Sequence, residues 1–272
     1  MASSILTETY TLANGVKIPK VGFGTWQIPQ AQAEESVTNA LELGYRHIDT
    51  ALVYRNERGV GAAINNSGIP RDQIFVTTKL PAETKTYAGA KRDFETSLQN
   101  LGLDYVDLYL IHAPWPWAKR GGNYDEGNKE AWKAMEEIYQ SGRAKAIGIS
   151  NFGVPEMKNI FEGATVKPMV DQIRYHVGYT EDAITKFAQD NGLLVEAYSP
   201  LATGRLLQDK DLTDIAAHYN ASIAQLGIKF CLQNGLLPLP KATHREHAKS
   251  NTQLDFTISD TDMAKLNSLN EE

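Results

Sequence analysis

The sequence predicts a closed (β/α)8 barrel with an N-terminal β-hairpin and a short C-terminal tail. Three observations carry this. Short β-rich runs alternate with helical patterns eight times, which implies a parallel sheet with helical crossovers. Several of those runs are continuously apolar, as strands covered on both faces are. The 272 residues also suit such a barrel, whose size is roughly 250 residues. An open doubly wound sheet is the rival, but Gly22-Phe23-Gly24-Thr25-Trp26 begins its G-x-G-x-x-G signal and then lacks the third glycine. There is no linker and no composition shift, so residues 1–272 read as one domain.

The elements follow in order. Apolar runs flank Asn14-Gly15 in YTLANGVKIP, a type I′ hairpin signal. The strands are VGFG (21–24), RHIDT (46–50), IFVTTK (74–79), VDLYLIH (106–112), AKAIGIS (144–150), MVDQIRY (169–175), LLVEAYS (193–199) and LLPLPK (236–241). Between them, AQAEESVTNALELG, NERGVGAAINNSG, TYAGAKRDFETSLQNLG, KEAWKAMEEIYQSG, PEMKNIFEGA, TEDAITKFAQDNG and ASIAQLGIKFCLQNG carry apolar residues at three- and four-residue spacing. Most close on glycine (Gly44, Gly68, Gly102, Gly142, Gly192, Gly235), the residue expected just past a helix C-terminus. HREHAKSN and DTDMAKLNSLN complete the chain as further helices.

Composition narrows the function. The chain is 42% hydrophobic and 22% charged, with net charge −6 and a pI near 5.6, and has no basic block, which argues against nucleic acid or an anionic membrane as partner. Cys231 is the only cysteine; it sits in an apolar helical run and reads as a buried structural thiol in a reducing compartment. No secretion signal or membrane-length apolar stretch is read, so the expected location is the cytoplasm. Glycosylation sequons at Asn65 and Asn220 then carry no weight, and neither H-E-x-x-H nor paired cysteines suggest zinc.

Active sites of such barrels form at the C-terminal ends of the strands. Those ends hold Asp49 with Tyr54 just beyond, Lys79, His112, Ser150-Asn151, Gln172, Tyr198-Ser199 and Lys241. Each has a plain reading alone: a turn cap, a snorkelling lysine, a satisfied core histidine. Together they suggest acid–base chemistry. A buried ammonium costs free energy unless a carboxylate pairs it, and Asp49 can pair Lys79. The ammonium should then favour the phenolate of Tyr54 and lower a pKa that is ordinarily near 10. His112 can hold a carbonyl oxygen. None of these residues is an obvious nucleophile, so a cofactor hydride is the natural supplier.

The chain resembles the aldo-keto reductase superfamily over nearly its whole length, in VGFGTWQIP, GYRHIDTALVYRNERGVGAAI, FVTTKL, DLYLIH, IGISNF, VDQIRYH, EAYSPLA and LPKATHREHAKSN. It looks most like the small prokaryotic diketogluconate reductases. The resemblance implies a barrel that reduces aldehydes and ketones with NADPH, with Asp49, Tyr54, Lys79 and His112 as the catalytic tetrad and Tyr54 as proton donor. It places Ser150, Asn151 and Gln172 on the nicotinamide carboxamide and Tyr198 against the ring. Ser199, Leu201 and Thr203 fall over the pyrophosphate, and Lys241 and Asn251 at the adenosine end. Gly24, Thr25, Ala242, Thr243 and His247 lie in the matching cofactor segments. Trp26, Tyr54, His112 and Ala113 border the substrate.

Two departures from the family pattern shape expectations. Ala242 and His247 stand where NADPH-preferring members commonly have serine and arginine, so appreciable NADH use is expected beside NADPH, with Arg245 and His244 as compensating groups. Ala113 and Pro81 replace bulky aromatics at the substrate mouth, and the chain stops at Glu272 without the extended loop of longer members, so an open pocket and broad substrate range are expected. Trp115, Trp117 and Tyr124 serve either that pocket or outer packing. His176 and His218 receive no role. A monomer is expected, because no apolar stripe is left over. Two other functions compete: a Schiff-base lyase using Lys79, against which Asp49 argues by keeping the amine protonated, and a non-catalytic cofactor-binding accessory barrel.

Overall fold

The computed structural model describes residues 4–270. Residues 1–3 and 271–272, on which the reading of a leaderless N-terminus and of the tail partly rests, lie outside the described residues. The chain opens with an antiparallel pair, β1 (Thr9–Thr11) and β2 (Lys17–Pro19). Its turn differs from the expectation. Leu12 and Val16 still pair, and only Gly15 takes positive φ, at 88°. Asn14 does not, so a three-residue loop replaces the type I′ turn, with glycine alone in the left-handed position.

Eight parallel strands follow: β3 (Phe23–Gly24), β4 (His47–Asp49), β5 (Phe75–Leu80), β6 (Val106–Ile111), β7 (Ala144–Ser150), β8 (Val170–Arg174), β9 (Leu194–Tyr198) and β10 (Leu237–Leu239), each hydrogen-bonded to the next. Seven lie within the predicted runs, and β5 extends one residue beyond its run, to Leu80. The ring closes between its first and last strands, where the amides of Gly22 and Gly24 donate to the carbonyls of Pro238 (3.1 Å) and Pro240 (3.0 Å). The two prolines have no N–H to give, so this seam depends on glycine donors approaching closely. A Cβ on Gly22 would lie 2.4 Å from Leu239 Cδ2 and 2.8 Å from His47 Nδ1.

The helices are α1 (Gln30–Leu43), α2 (Glu57–Asn66), α3 (Tyr87–Leu101), α4 (Asp125–Gln140), α5 (Val154–Gly163), α6 (Asp182–Asp190), α7 (Lys210–Ala217), α8 (Ile223–Gln233), α9 (Arg245–Ser250) and α10 (Asp260–Asn267). Their apolar stripes face the outside of the barrel; α1, for example, buries Ala33, Val37, Ala40 and Leu41 at helical spacing. Thr86 caps α3, and a Ser222–Gln225 capping box starts α8. The sequence pattern assigns no element to 200–220, yet a 3-10 segment (Ala202–Gln208) and α7 occupy it, with Asp209 capping α7. The segment ahead of α10 is tied to α8 by reciprocal hydrogen bonds between Gln233 and Ile258.

Alternation along each strand sorts the side chains. On β6, Tyr109 and Ile111 join the outer core, while Leu108 and Leu110 join an apolar cluster with Phe75, Ala146, Val170, Leu237 and Leu239. The hairpin contributes Leu12 and Ile18 to that second cluster. The N-terminal end of the barrel is therefore plugged with apolar side chains, and the polar residues gather at the opposite end.

We expect Gly22→Ala to cost about 1–3 kcal/mol, the usual range for overpacking a tight site. A urea-unfolding midpoint equal to the wild type would show that the barrel seam is looser than described.

Candidate active site

The chain reverses sharply after β4. A 3-10 turn (Leu52–Tyr54) and Arg55 in the left-handed region (φ 57°) fold Tyr54 back over the strand end. Asn56 fixes this turn. It is fully buried, accepts from Thr50 Oγ1 (2.7 Å), and donates to the carbonyls of Thr25 (2.8 Å) and Ile28 (3.0 Å). Glu57 beside it is also buried and accepts from Thr78 Oγ1 (2.6 Å) and Asn100 Nδ2 (3.0 Å), tying α2 to β5 and α3. The sequence reading quoted both residues and gave neither a task. A short polar pair directly after a strand-end turn was the available signal.

Lys79 is fully buried at the top of β5. Its Nζ donates to both oxygens of Asp49 (2.7 and 2.9 Å), to the Thr50 carbonyl (2.9 Å) and to Tyr54 Oη (3.3 Å). The His112 ring meets the Tyr54 ring edge-on, with centroids 5.6 Å apart. The four residues expected to form a tetrad thus stand together. Burial pushes the Lys79 ammonium toward neutrality, but the Asp49 carboxylate and the Tyr54 oxygen more than reverse this, so its pKa lies above the usual lysine value. Burial, then the charge of Lys79, hold His112 neutral, well below the usual imidazole range.

Tyr54 corrects the expectation from sequence. Burial raises its pKa, the Lys79 charge lowers it, Asp49 raises it again, and the net direction is upward from 10.0. The phenol is therefore protonated at neutral pH. Lys79 limits the cost of forming the phenolate without making the resting hydroxyl acidic.

Across the barrel, Ser150 Oγ donates to the Gln172 carbonyl (2.7 Å), and Asn151 Nδ2 donates to the His112 carbonyl (2.9 Å). Tyr198 Oη donates to Asn151 Oδ1 (2.7 Å). Gln172 Nε2 donates to Asp49 Oδ2 (2.9 Å) and to Glu196 Oε2 (2.7 Å), which leaves its carbonyl oxygen free of these contacts. A cleft of about 940 Å³ starts over Tyr54, His112 and Gln172. It passes Tyr198, Ser199, Leu201 and Thr203 and reaches Lys241, His247 and Asn251. Gly24 and Trp26 also line it. Along its wall Ser199, Ala202, Thr203 and Gly204 all take positive φ (50°, 49°, 57° and 95°), an unusual density of left-handed backbone.

Other expected site residues fall elsewhere. Thr25 is fully buried, with its hydroxyl on the Asp49 carbonyl (2.9 Å). Ala113 packs with Ala82 and Trp115 away from the cleft, and its carbonyl accepts from Lys85 (2.8 Å). Ala242 and Thr243 do not border the cleft, whereas Ser222, Ala224 and Ser250, which the sequence reading missed, do. Arg245 does not border the cleft and donates through Nη1 to Asn39 (2.9 Å) and Glu42 (2.6 Å) of α1. The loop aromatics divide. Trp115 and Tyr124 serve outer packing, while Trp117 lines the cleft with its ring 5.5 Å from that of His112. The large apolar side chains that remain exposed among the described residues, Trp26, Val53, Trp117 and Leu207, all line this one cleft.

No cluster of three or more His, Cys, Asp or Glu able to hold a metal occurs among the described residues, and no described helix is long and apolar enough to cross a membrane. Lys79, held protonated by Asp49, is unsuited to Schiff-base formation. A parallel barrel with a Lys–Asp pair beneath a phenol, opening into a cleft of about 940 Å³, is the arrangement of a nicotinamide-dependent carbonyl reductase. The profile of the Aldo/keto reductase family matches residues 20–271, and the chain belongs to that family. It is 39% identical over 269 residues to the glyoxal reductase of Bacillus subtilis, covering 98% of this chain and 94% of that one. The fold matches the aldo/keto reductase of Brucella melitensis with a TM-score of 0.92 at 38% identity, covering 99% of this chain and 100% of the other. It also matches the Bombyx mori aldo-keto reductase in complex with NADP, with a TM-score of 0.88 at 31% identity, covering 98% and 94%. The protein is an NAD(P)H-dependent enzyme that reduces aldehydes and ketones to alcohols.

Removing one member of a buried ion pair strands the other charge and costs about 3–5 kcal/mol. We expect that loss in Lys79→Met, with most of it recovered in Asp49→Leu/Lys79→Met, where no charge is left unpaired. Urea unfolding of the set tests this. A double variant no more stable than the single one would mean that Asp49 is stabilised chiefly by groups other than Lys79.

Proposed function

We propose that Tyr54 is the proton donor of the reduction and that NADPH is the preferred cofactor. The observation that carries the first point is the 3.3 Å contact from Lys79 Nζ to Tyr54 Oη, made while Lys79 is pinned to Asp49. Bound reduced nicotinamide supplies the hydride. A carbonyl oxygen gaining negative charge takes the proton from Tyr54 Oη, and the Lys79 ammonium stabilises the phenolate left behind. Neutral His112 orients that oxygen by donating a hydrogen bond. In this reading Ser150, Asn151 and Gln172 hold the carboxamide, Tyr198 lies against the ring, Ser199, Leu201 and Thr203 follow the pyrophosphate, and Lys241, His247 and Asn251 take the adenosine end. The residues fit such a group by their chemistry: hydrogen-bonding side chains and an aromatic at one end of the cleft, a lysine at the other.

The apolar rim of Trp26, Val53, Trp117 and Leu207 favours small aldehydes and ketones with an apolar body. Similarity to a glyoxal reductase supports the small end of that range. The reading includes a single barrel domain acting as a cytoplasmic monomer, independent of nucleic acid and membranes. It is supported by the acidic net charge of −6 and the lone buried thiol Cys231.

Tyr54→Phe should lower turnover by roughly 10² to 10⁴, the usual worth of a positioned general acid, and leave the NADPH dissociation constant within about threefold. Turnover near the wild-type level in that variant, with a panel of small aldehydes, would reassign the proton donor.

With Arg245 committed to α1, Lys241 is the main cation offered to a 2′-phosphate, and a charge-assisted hydrogen bond contributes roughly 1.5–3 kcal/mol. NADH should therefore support measurable turnover, and Lys241→Ala should bring the NADPH and NADH kcat/KM values together by about tenfold or more. An unchanged ratio would move 2′-phosphate recognition to another residue.

A further inference from the structure

Beneath the tetrad lies a second buried polar group to which the reaction assigns nothing. Glu196 of β9 and His47 of β4 are both fully buried inside the barrel. They approach to 3.9 Å, His47 Nε2 to Glu196 Oε1, but do not form an ion pair. Burial, then the Lys79 charge, lower His47 to about 3, and burial, then the Asp49 charge, raise Glu196 to about 8, so both are neutral at pH 7. His47 Nε2 instead meets Thr77 Oγ1 (3.1 Å). Glu196 Oε1 and His47 Nδ1 have no hydrogen-bond partner. The one hydrogen bond of Glu196 runs from Gln172 Nε2 to Oε2, at 2.7 Å. Gln172 and Glu196 are register partners on neighbouring strands, which aims both side chains into the barrel.

One amide nitrogen therefore hangs between two carboxyl groups. An amide has two N–H donors and one carbonyl acceptor. With both donors directed to Asp49 and Glu196, only the oxygen of Gln172 can face the cleft. We propose that Glu196 is a positioning residue: by accepting from Gln172 Nε2 it locks the Gln172 amide with the carbonyl toward the cofactor cleft, so that the enzyme selects a hydrogen-bond donor there, as the NH2 of a nicotinamide carboxamide is. The proposal rests on the reading that Gln172 touches that group.

The surroundings also favour an uncharged Glu196. Facing Glu196 are Asp49 and His47 on β4, Lys79 on β5 and Gln172 on β8; β10, paired alongside at Leu237, brings no titratable group. Lys79 is already committed to Asp49. An ionised Glu196 would set a second negative charge against Asp49 across one amide and would raise the cost of the Tyr54 phenolate. The sign is that of a raised carboxyl pKa. The proton is held below about pH 8 and lost above it, so cofactor affinity should fall as pH rises through that value.

The test is the NADPH dissociation constant, read by quenching of tryptophan fluorescence from about pH 6 to pH 9.5 on the full chain. The wild type should weaken several-fold through a break near pH 8. Glu196→Gln, whose neutral carbonyl still accepts from Gln172, should stay within about threefold of the wild type near pH 6.5 and lose the break. Glu196→Leu, which strands a Gln172 N–H, should bind roughly tenfold more weakly across the range, a loss of about one hydrogen bond. Gln172→Ala separates the two layers of the argument. If it binds NADPH as tightly as the wild type, the cofactor reading of Gln172 falls. If it weakens binding while Glu196→Gln keeps the wild-type break, or while Glu196→Leu binds normally, the role of Glu196 alone is overturned.

Discussion

Everything at the top of this barrel depends on a lysine ammonium buried without solvent. Lys79 is fully enclosed, and a charge in that position is tolerable only because three oxygens besides the phenol surround it: two from Asp49 and the Thr50 carbonyl. That requirement dictates the turn after β4. Thr50 must present its carbonyl inward while its hydroxyl holds Asn56, and Asn56 must clamp the Thr25 and Ile28 carbonyls so that the turn cannot relax. Tyr54 is placed by this same clamp. The phenol beside the ammonium is thus a product of the turn that makes the ammonium affordable.

The same charge acts at a distance. Lys79 contributes to holding both His47 and His112 neutral, by adding repulsion to the effect of burial. Burial first, then the Asp49 charge, keep Glu196 protonated near neutral pH, because the Lys79 ammonium is already paired with Asp49. The interior is a small closed electrostatic system in which each group fixes the protonation of the next. The barrel seam matters to it as well, because Gly22 leaves the room that His47 and Leu239 occupy.

Much of this was legible in the sequence. Alternation and apolar strands gave the barrel, and strand-end positions brought Asp49, Lys79 and His112 to one face, because parity along a strand is a local property. Tyr54 was placed just beyond the Asp49 strand end, but its return over that strand depends on a 3-10 turn that periodicity does not mark. The direction of the Tyr54 pKa was missed because a spacing argument sees the neighbouring charge and not the desolvation that outweighs it. The partners of Arg245 were hidden for a related reason. Its charge is visible in sequence, but Glu42 and Asn39 lie some two hundred residues away and only the fold brings α1 and α9 together. Segment 200–220 hid its helix because its early residues take left-handed backbone for the cleft wall, a functional demand that overrides local propensity.

That wall also explains how one cleft can treat its two occupants differently. On the reading proposed above, the cofactor side is built from strand ends tied by side-chain hydrogen bonds, such as Ser150 to Gln172 and Tyr198 to Asn151, and so inherits the rigidity of the barrel. The proposed substrate side is built from loop side chains: Trp26 and Val53 from the first two strand-end loops, Trp117 from the loop after β6, and Leu207 from the segment ahead of α7. All four have more than a third of their surface in water and lie in segments that no sheet register constrains. Apolar side chains in such positions lower their exposure by closing on an apolar substrate, and they do so without disturbing the buried charges below. On that reading the sheet fixes the chemistry, and four loop residues that can change independently of it shape the substrate range.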